Sequence, residues 1–186
     1  MDGVTDENRY KGVTELLKIS VEKLCLQEEI TIDPYIPIDI KWGTWNEAEE
    51  GTHYFRLGDF KKSLLEIGVG SNTGLIRSIT LVDSNKVVLD SVGKVNNLTN
   101  NEQGILVFDL TQMKEKGTLD VECKLEVYMF SNNLLLSFRD GEVAKCIHSG
   151  KVIFGVNELD ELCFIKVGGL SNEETIQLND SLSFMV

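Results

Sequence analysis

The sequence predicts an α+β domain: a mainly antiparallel, twisted sheet or sandwich with an N-terminal helix and short C-terminal helices. Three observations carry this expectation. Beyond residue 29, apolar residues recur at every second position, as on half-buried strands. The runs are separated by Asn-, Ser- and Gly-rich turns at hairpin spacing. Helical spacing and capping are confined to the two ends and one short internal stretch. With 186 residues, 42% of them hydrophobic, the chain can fill a sizeable core. The expected organisation is a single domain over 1–186, in which a helical segment, 1–28, packs on a β-rich body, 29–186.

Taken in order, Val13, Leu16, Leu17, Ser20, Val21 and Leu24 fall near an i, i+3, i+4, i+7 pattern. Lys18, Glu22 and Lys23 lie off that face, which predicts the N-terminal helix, capped by Thr5 or Asp6. The period then changes to two: Ile30, Ile32, Ile36, Ile38, Ile40 and Trp42 alternate with polar residues. Pro34 and Pro37 cannot donate ladder hydrogen bonds, so this strand must break, bulge or run at an edge. The acidic stretch 43–52 reads as an exposed loop. Strands follow over 54–57 and 63–69, then a turn at Ser71-Asn72-Thr73-Gly74 and a strand over 75–82.

A short strand is expected over 87–89, an Asn-rich loop over 96–103 and a strand over 105–110. Val121, Cys123, Leu125, Val127 and Met129 give the cleanest alternation, read as one strand over 121–129 that turns back into 134–138. Residues 140–149 predict a short helix, with Asp140 as cap, Val143, Ala144 and Ile147 inward and Gly150 at its end. Strands over 151–156 and 162–167 flank a tip at 157–161. Ser171 and Glu174 form a capping box that opens a last short helix through Leu178.

Thirty acidic residues against eighteen Lys and Arg give a formal net charge of −12. Nucleic acids and anionic membranes both require a positive footprint, so neither is an expected direct partner. The start MDGVTDENRYKG carries no basic segment leading into an apolar run, and no stretch approaches the ~18 apolar residues of a spanning helix. Cys25, Cys123, Cys146 and Cys163 are irregularly spaced within apolar patterns and read as buried small hydrophobes rather than a disulfide framework. Together these features place the chain in a reducing cytoplasm.

Chemistry is harder to find. Gly68, Gly70 and Gly74 superficially suggest a phosphate loop, but position 73 is Thr and a strand follows where a helix N-terminus is needed. His53 and His148 are far apart, without metal-ligand spacing, and Asp83-Ser84-Asn85 lacks the rest of a calcium loop. Cys146 and His148, two apart, would not share a helix face. No catalytic residue, cofactor or metal site is assigned, and the chain is read as a non-enzyme.

The acidic clusters remain. Glu47, Glu49 and Glu50 lie beside Trp42 and Trp45; Glu158, Asp160 and Glu161 occupy a hairpin tip; Glu173 and Glu174 match a helix dipole. As a solvated surface such clusters need no further explanation. As an interface, carboxylates steer a basic protein partner and aromatic residues hold it. On that reading the partner-binding residues are Trp42, Trp45, Glu47, Glu49, Glu50, Glu158, Asp160 and Glu161.

Three stretches resemble small intracellular proteins of Gram-positive bacteria in the polymorphic-toxin immunity class. They are Ile36-Pro37-Ile38-Asp39-Ile40, the pair Leu64-Leu65-Glu66-Ile67-Gly68-Val69 with Thr73-Gly74-Leu75-Ile76-Arg77-Ser78-Ile79-Thr80-Leu81-Val82, and Val152-Ile153-Phe154-Gly155-Val156. The resemblance covers the central half of the chain. It implies an immunity protein of the contact-dependent growth inhibition type, which neutralises a cognate basic toxin, such as a nuclease, by stoichiometric binding. It carries no catalytic or binding residues across. Two alternatives stand beside it: a carbohydrate- or small-ligand-binding β-sandwich with Trp42, Trp45 or Tyr54 in its pocket, and a carboxylate-dependent hydrolase.

Overall fold

Alternating apolar and polar side chains become paired strands in the computed structural model, which describes residues 17–84, 87–89, 100–113 and 117–183. A six-stranded sheet runs in the order β10 (Thr118–Glu122), β4 (Thr52–Gly58), β5 (Leu64–Gly70), β6 (Ile76–Asp83), β3 (Ile38–Trp42), β2 (Glu28–Thr31). Its neighbours are antiparallel except for the parallel pair of β10 and β4. The prolines act as expected: the 30–42 run is split into β2 and β3 by a turn containing Pro34 and Pro37.

A seven-stranded sheet runs β7 (Val87–Leu89), β11 (Glu126–Phe130), β12 (Asn133–Ser137), β15 (Leu162–Val167), β14 (Val152–Val156), β13 (Lys145–Ser149), β8 (Asn101–Gln103). The two sheets share one core. Ile38, Ile40 and Trp42 of β3 and Leu65, Ile67 and Val69 of β5 belong to the same buried cluster as Leu134 and Leu136 of β12 and Phe154 of β14. The Trp42 and Phe154 rings lie 6.0 Å apart across the layers. Burial of each such side chain stabilises by about 1.5–3 kcal/mol, and the Trp42 indole N–H is satisfied by the Ser149 hydroxyl at 2.9 Å.

One margin of the sandwich is stitched by a two-stranded ribbon, β1 (Ile19–Glu22) and β9 (Ile105–Phe108). On one side, Phe108 N–H donates to Gly74 carbonyl oxygen at 2.8 Å. On the other, Ile19 N–H donates to Asp160 carbonyl oxygen at 2.9 Å. Elsewhere α1 (Asn172–Ser183) sends Leu178 and Leu182 into the core, while its Ser181 hydroxyl donates to Asp33 carbonyl oxygen at 2.8 Å. The capping box forms in both directions: Ser171 N–H donates to Glu174 at 2.6 Å, and Glu174 N–H donates to Ser171 Oγ at 3.1 Å.

The α+β expectation is therefore corrected. The described residues are 52% strand and 8% helix, in three sheets with a single C-terminal helix. Residues 19–22 of the expected N-terminal helix form β1; residues 13–16 lie outside the described residues, as do Thr5 and Asp6. Leu17, Ile19 and Val21 also alternate, and pairing with β9 satisfies the backbone while burying Leu17 and Ile19. Leu24, placed on the helix's inner face, is 41% exposed.

The internal helix is likewise absent: Lys145–Ser149 is β13, held between β14 and β8. The expected strand over 121–129 is two strands in different sheets. Cys123 and Leu125 remain buried through the crossing, so the alternation never signals the break. Of the expected 96–103 loop, Asn101–Gln103 pairs as β8 and 96–99 lies outside the described residues. The last helix runs past Leu178 to Ser183.

Candidate functional site

The loop over 43–51 joins β3 to β4 and is built around one buried arginine. On β6, pairing with β5 jumps from Gly68↔Ser78 to Val69↔Ile76, so Arg77 is the extra residue of a bulge. Bulges re-aim side chains, and the Arg77 side chain is only 7% exposed. Its Nη2 donates to Glu50 Oε2 at 2.7 Å. Its Nη1 donates to the carbonyl oxygens of Glu50 at 3.0 Å and Gly51 at 3.1 Å and to Thr52 Oγ1 at 2.9 Å. The guanidinium also stands 5.5 Å from the centroid of the half-buried Trp45 ring.

Glu50 completes the anchor. Its Oε1 accepts the N–H groups of Asn72 at 2.8 Å and Thr73 at 2.7 Å, and the Thr73 hydroxyl at 3.0 Å. A Cβ on Gly70 would sit 2.6 Å from the same oxygen, so a side chain there would push the Glu50 carboxylate off the turn. Burial pushes the Glu50 carboxyl up, but the Thr73 and Asn72 amides, the Thr73 hydroxyl and Arg77 outweigh it and hold the group below its ordinary range. Glu47, exposed, is also held low, chiefly by the Thr52 hydroxyl, with Trp45 Nε1 and Arg77 adding to the effect. Exposed Glu49 accepts only a short-range bond from Asn46 Nδ2 at 3.1 Å.

The 157–161 tip has its own anchor. Asn157 Oδ1 accepts the N–H groups of Leu159 at 2.9 Å and Glu161 at 3.0 Å, and Asp160 adopts a left-handed φ of 59°. Glu161 is fully buried; Oε2 meets Arg139 Nη2 at 2.6 Å and accepts Asn157 Nδ2 at 2.8 Å. Asp160 pairs with Lys145 Nζ at 2.7 Å. Glu158 is exposed, and beside it Leu159 is 67% exposed.

These two acidic stretches, over a hundred positions apart in sequence, flank the same ribbon. Thr73, bonded to Glu50, adjoins Gly74; Gly74 bonds to Phe108, Phe108 pairs with Ile19, and Ile19 bonds to Asp160. Gly74 and Asp160 are three interstrand steps apart, about 14 Å. The bonding path thus joins the loop with exposed Glu47 and Glu49 to the tip with exposed Glu158 and Asp160 along one rim of the sandwich, with the half-buried Trp45 in the first loop.

It does not bring in the rest. Trp42 is 1% exposed and packs in the core, and Glu161 is buried in an ion pair, so neither presents a surface. Glu50 is spent on Arg77 and the turn amides. Sequence reasoning missed Arg77, which organises the loop, and Leu159, the most exposed apolar residue of the tip. The signal for Arg77 was present: a charged residue interrupting the alternation between Ile76 and Ile79 marks a bulge.

Among the described residues, no group of three or more His, Cys, Asp or Glu side chains could hold a metal ion. His148 Nε2 lies 2.9 Å from Asn101 Oδ1, and His53 sits against Gly117. Burial pushes the Cys123 thiol up to about 12 and raises those of Cys146 and Cys163, which keeps all three as protonated, unreactive thiols. A scan against protein-family models finds no match, and no curated protein matches the sequence.

Proposed function

We propose that this chain is a cytoplasmic immunity protein that binds a basic protein partner, a cognate bacterial toxin domain, and blocks it by occupancy. The observation that carries the reading is that one bonded rim joins the loop with exposed Glu47 and Glu49 to the tip with exposed Glu158, on a chain with net charge −12. Each half of the rim is tied down by an arginine–glutamate pair with one partner buried, Arg77–Glu50 or Arg139–Glu161. Carboxylates on rigid supports steer a basic surface and lose little freedom on contact. Trp45 and Leu159 supply the apolar area that complexes of this kind need at their centre. No helix among the described residues is long and apolar enough to cross a membrane.

The alternatives fare less well on specific grounds. The sugar-binding reading loses Trp42 to the core. A carboxylate hydrolase requires one acid raised toward neutrality, whereas the rim carboxylate Glu47 is held low.

Co-expression with the C-terminal domain encoded by the neighbouring upstream gene tests the reading. A stoichiometric complex that survives purification and abolishes toxicity is the expected result. Reversing Glu47, Glu49 and Glu158 to Lys should slow association and flatten its salt dependence. An unchanged salt slope would remove this rim from the interface, and the absence of both complex and protection would sink the reading for that partner.

A further inference from the structure

Glu161 turns away from the core and is nevertheless fully buried. It stands opposite Lys18, just before β15, between two backbone bonds. One runs from Ile19 N–H to Asp160 carbonyl oxygen at 2.9 Å, the other from Leu162 N–H to Leu17 carbonyl oxygen at 3.1 Å. Side chains directly opposite in an antiparallel pair share a face. Leu17, Ile19 and Leu162 turn into the core, so Glu161 and the exposed Lys18 turn outward.

The two oxygens of this carboxylate are unequally served. Oε2 meets Arg139 Nη2 at 2.6 Å and accepts Asn157 Nδ2 at 2.8 Å. Oε1 is buried and accepts no hydrogen bond. The other arginine–glutamate pair differs in this respect: Glu50 Oε1 accepts the Asn72 and Thr73 amides and the Thr73 hydroxyl, and Oε2 accepts Arg77. A buried ion pair offsets its desolvation only when the remaining lone pairs are satisfied. By that measure Arg139–Glu161 is less favourable than two apolar side chains of similar volume.

What the pair does supply is the shape of the tip. Glu161 Oε2 fixes the Asn157 side-chain amide, and Asn157 Oδ1 then accepts the N–H groups of Leu159 at 2.9 Å and Glu161 at 3.0 Å. The backbone closes around the same residue. Asn157 N–H donates to Glu161 carbonyl oxygen at 3.1 Å, and Asp160 N–H donates to Asn157 carbonyl oxygen at 3.2 Å. The resulting turn holds Asp160 left-handed, a conformation Asp tolerates and most residues do not. It also leaves Glu158 and Leu159 facing solvent. Contacts therefore run from Arg139 through Glu161 and Asn157 to the residues at the apex.

We propose that Arg139 and Glu161 are positioning residues: the pair sets the shape in which the tip presents Glu158 and Leu159 to a partner, and it lowers global stability in doing so. As regards the partner, the proposal rests on the immunity reading. Stability and the order of the tip are independent of it.

The test is the double variant Arg139→Met, Glu161→Leu, which exchanges the pair for apolar side chains of similar volume. Its urea midpoint is expected at or above that of the wild type. Arg139→Met alone, which leaves the carboxylate buried without its cation, should unfold at lower urea. In the double variant the amides of Leu159 and Asp160 should exchange with deuterium at least tenfold faster, and those of β14 and β15 no faster than in the wild type. A complex with the co-expressed toxin domain should dissociate at least tenfold faster. A midpoint below the wild type, unchanged protection of the tip or unchanged dissociation each overturns the proposal. Should the double variant not fold, Arg139→Met, Glu161→Met takes its place, and failure of both shows that the pair is needed for stability, which also overturns it. If the wild-type chain forms no complex, the immunity reading fails, while midpoint and exchange still decide whether the pair shapes the tip.

Discussion

Arg77 grips Glu50 twice: Nη2 holds the carboxylate at 2.7 Å, and Nη1 holds the same residue's carbonyl oxygen at 3.0 Å. A guanidinium has the planar fork for this and an ammonium does not. Replacing Arg77 by Ala removes the donor to Glu50 Oε2 and to two carbonyl oxygens, a loss of about 3 kcal/mol. Arg77→Lys should recover only part of it. Urea denaturation measures both values. If Arg77→Ala unfolds at the wild-type midpoint, the pair does not anchor the loop.

At the opposite end of the same sheet, Phe60 occupies a left-handed conformation, φ 57°, although it is an aromatic residue and 41% exposed. Asp59 imposes the turn by accepting the N–H groups of Lys61, Lys62 and Ser63 at 2.9–3.0 Å. Left-handed backbone costs an ordinary residue roughly 1–2 kcal/mol, and Asn tolerates it better. Phe60→Asn is therefore expected to stabilise the chain by about 0.5–1 kcal/mol, read as a rise in thermal midpoint. A lower midpoint would mean that the phenyl ring makes packing contributions larger than the strain.

Much of this architecture was written in alternation, and its failures share a cause. The β5–β6 hairpin was legible because Leu65, Ile67 and Val69 face Ile79 and Leu81 across a turn whose residues favour it. The N-terminal and internal helices were misread at Ile19–Glu22 and Lys145–Ser149, where partners distant in sequence decide the conformation. A four- or five-residue segment satisfies a helical spacing as easily as a strand's, and only the pairing strand discriminates. The rim was half legible. Composition located both acidic stretches, but burial of Trp42 and Glu161 depends on the second sheet and on Arg139, which no local pattern reveals.

The cysteines offer a check on the packing of both layers. Cys25 is exposed, whereas Cys123, Cys146 and Cys163 are buried with thiols shifted away from ionisation. A maleimide at neutral pH should modify Cys25 rapidly in the native chain and the other three only after denaturation. Native labelling at Cys146, followed by mass spectrometry of peptides, would show that the apolar cluster of Leu135, Cys146 and Phe164 on the seven-stranded sheet opens readily.

Acid sets two opposing effects against each other. Protonating surface carboxylates relieves the self-repulsion of a chain with net charge −12. Yet Glu47, Glu50 and Glu174 are held below their ordinary value of 4.5, and Asp59 is lowered from 3.8 to about 2. A group lowered on folding contributes stability that is complete above its unfolded value and is lost as pH falls through its folded one. The anchored carboxylates decide the outcome, because their hydrogen bonds hold the rim and turns together, whereas the repulsion is spread over the surface and screened. Stability is expected to stay level down to about pH 5, then fall steadily toward pH 2. Asp59→Ala should remove the steepest part of that fall below pH 4, along with about 2 kcal/mol of stability at pH 7. Urea midpoints at half-unit pH intervals in 0.15 M salt follow both changes. A midpoint that climbs continuously on acidification would show that relief of repulsion outweighs the anchors.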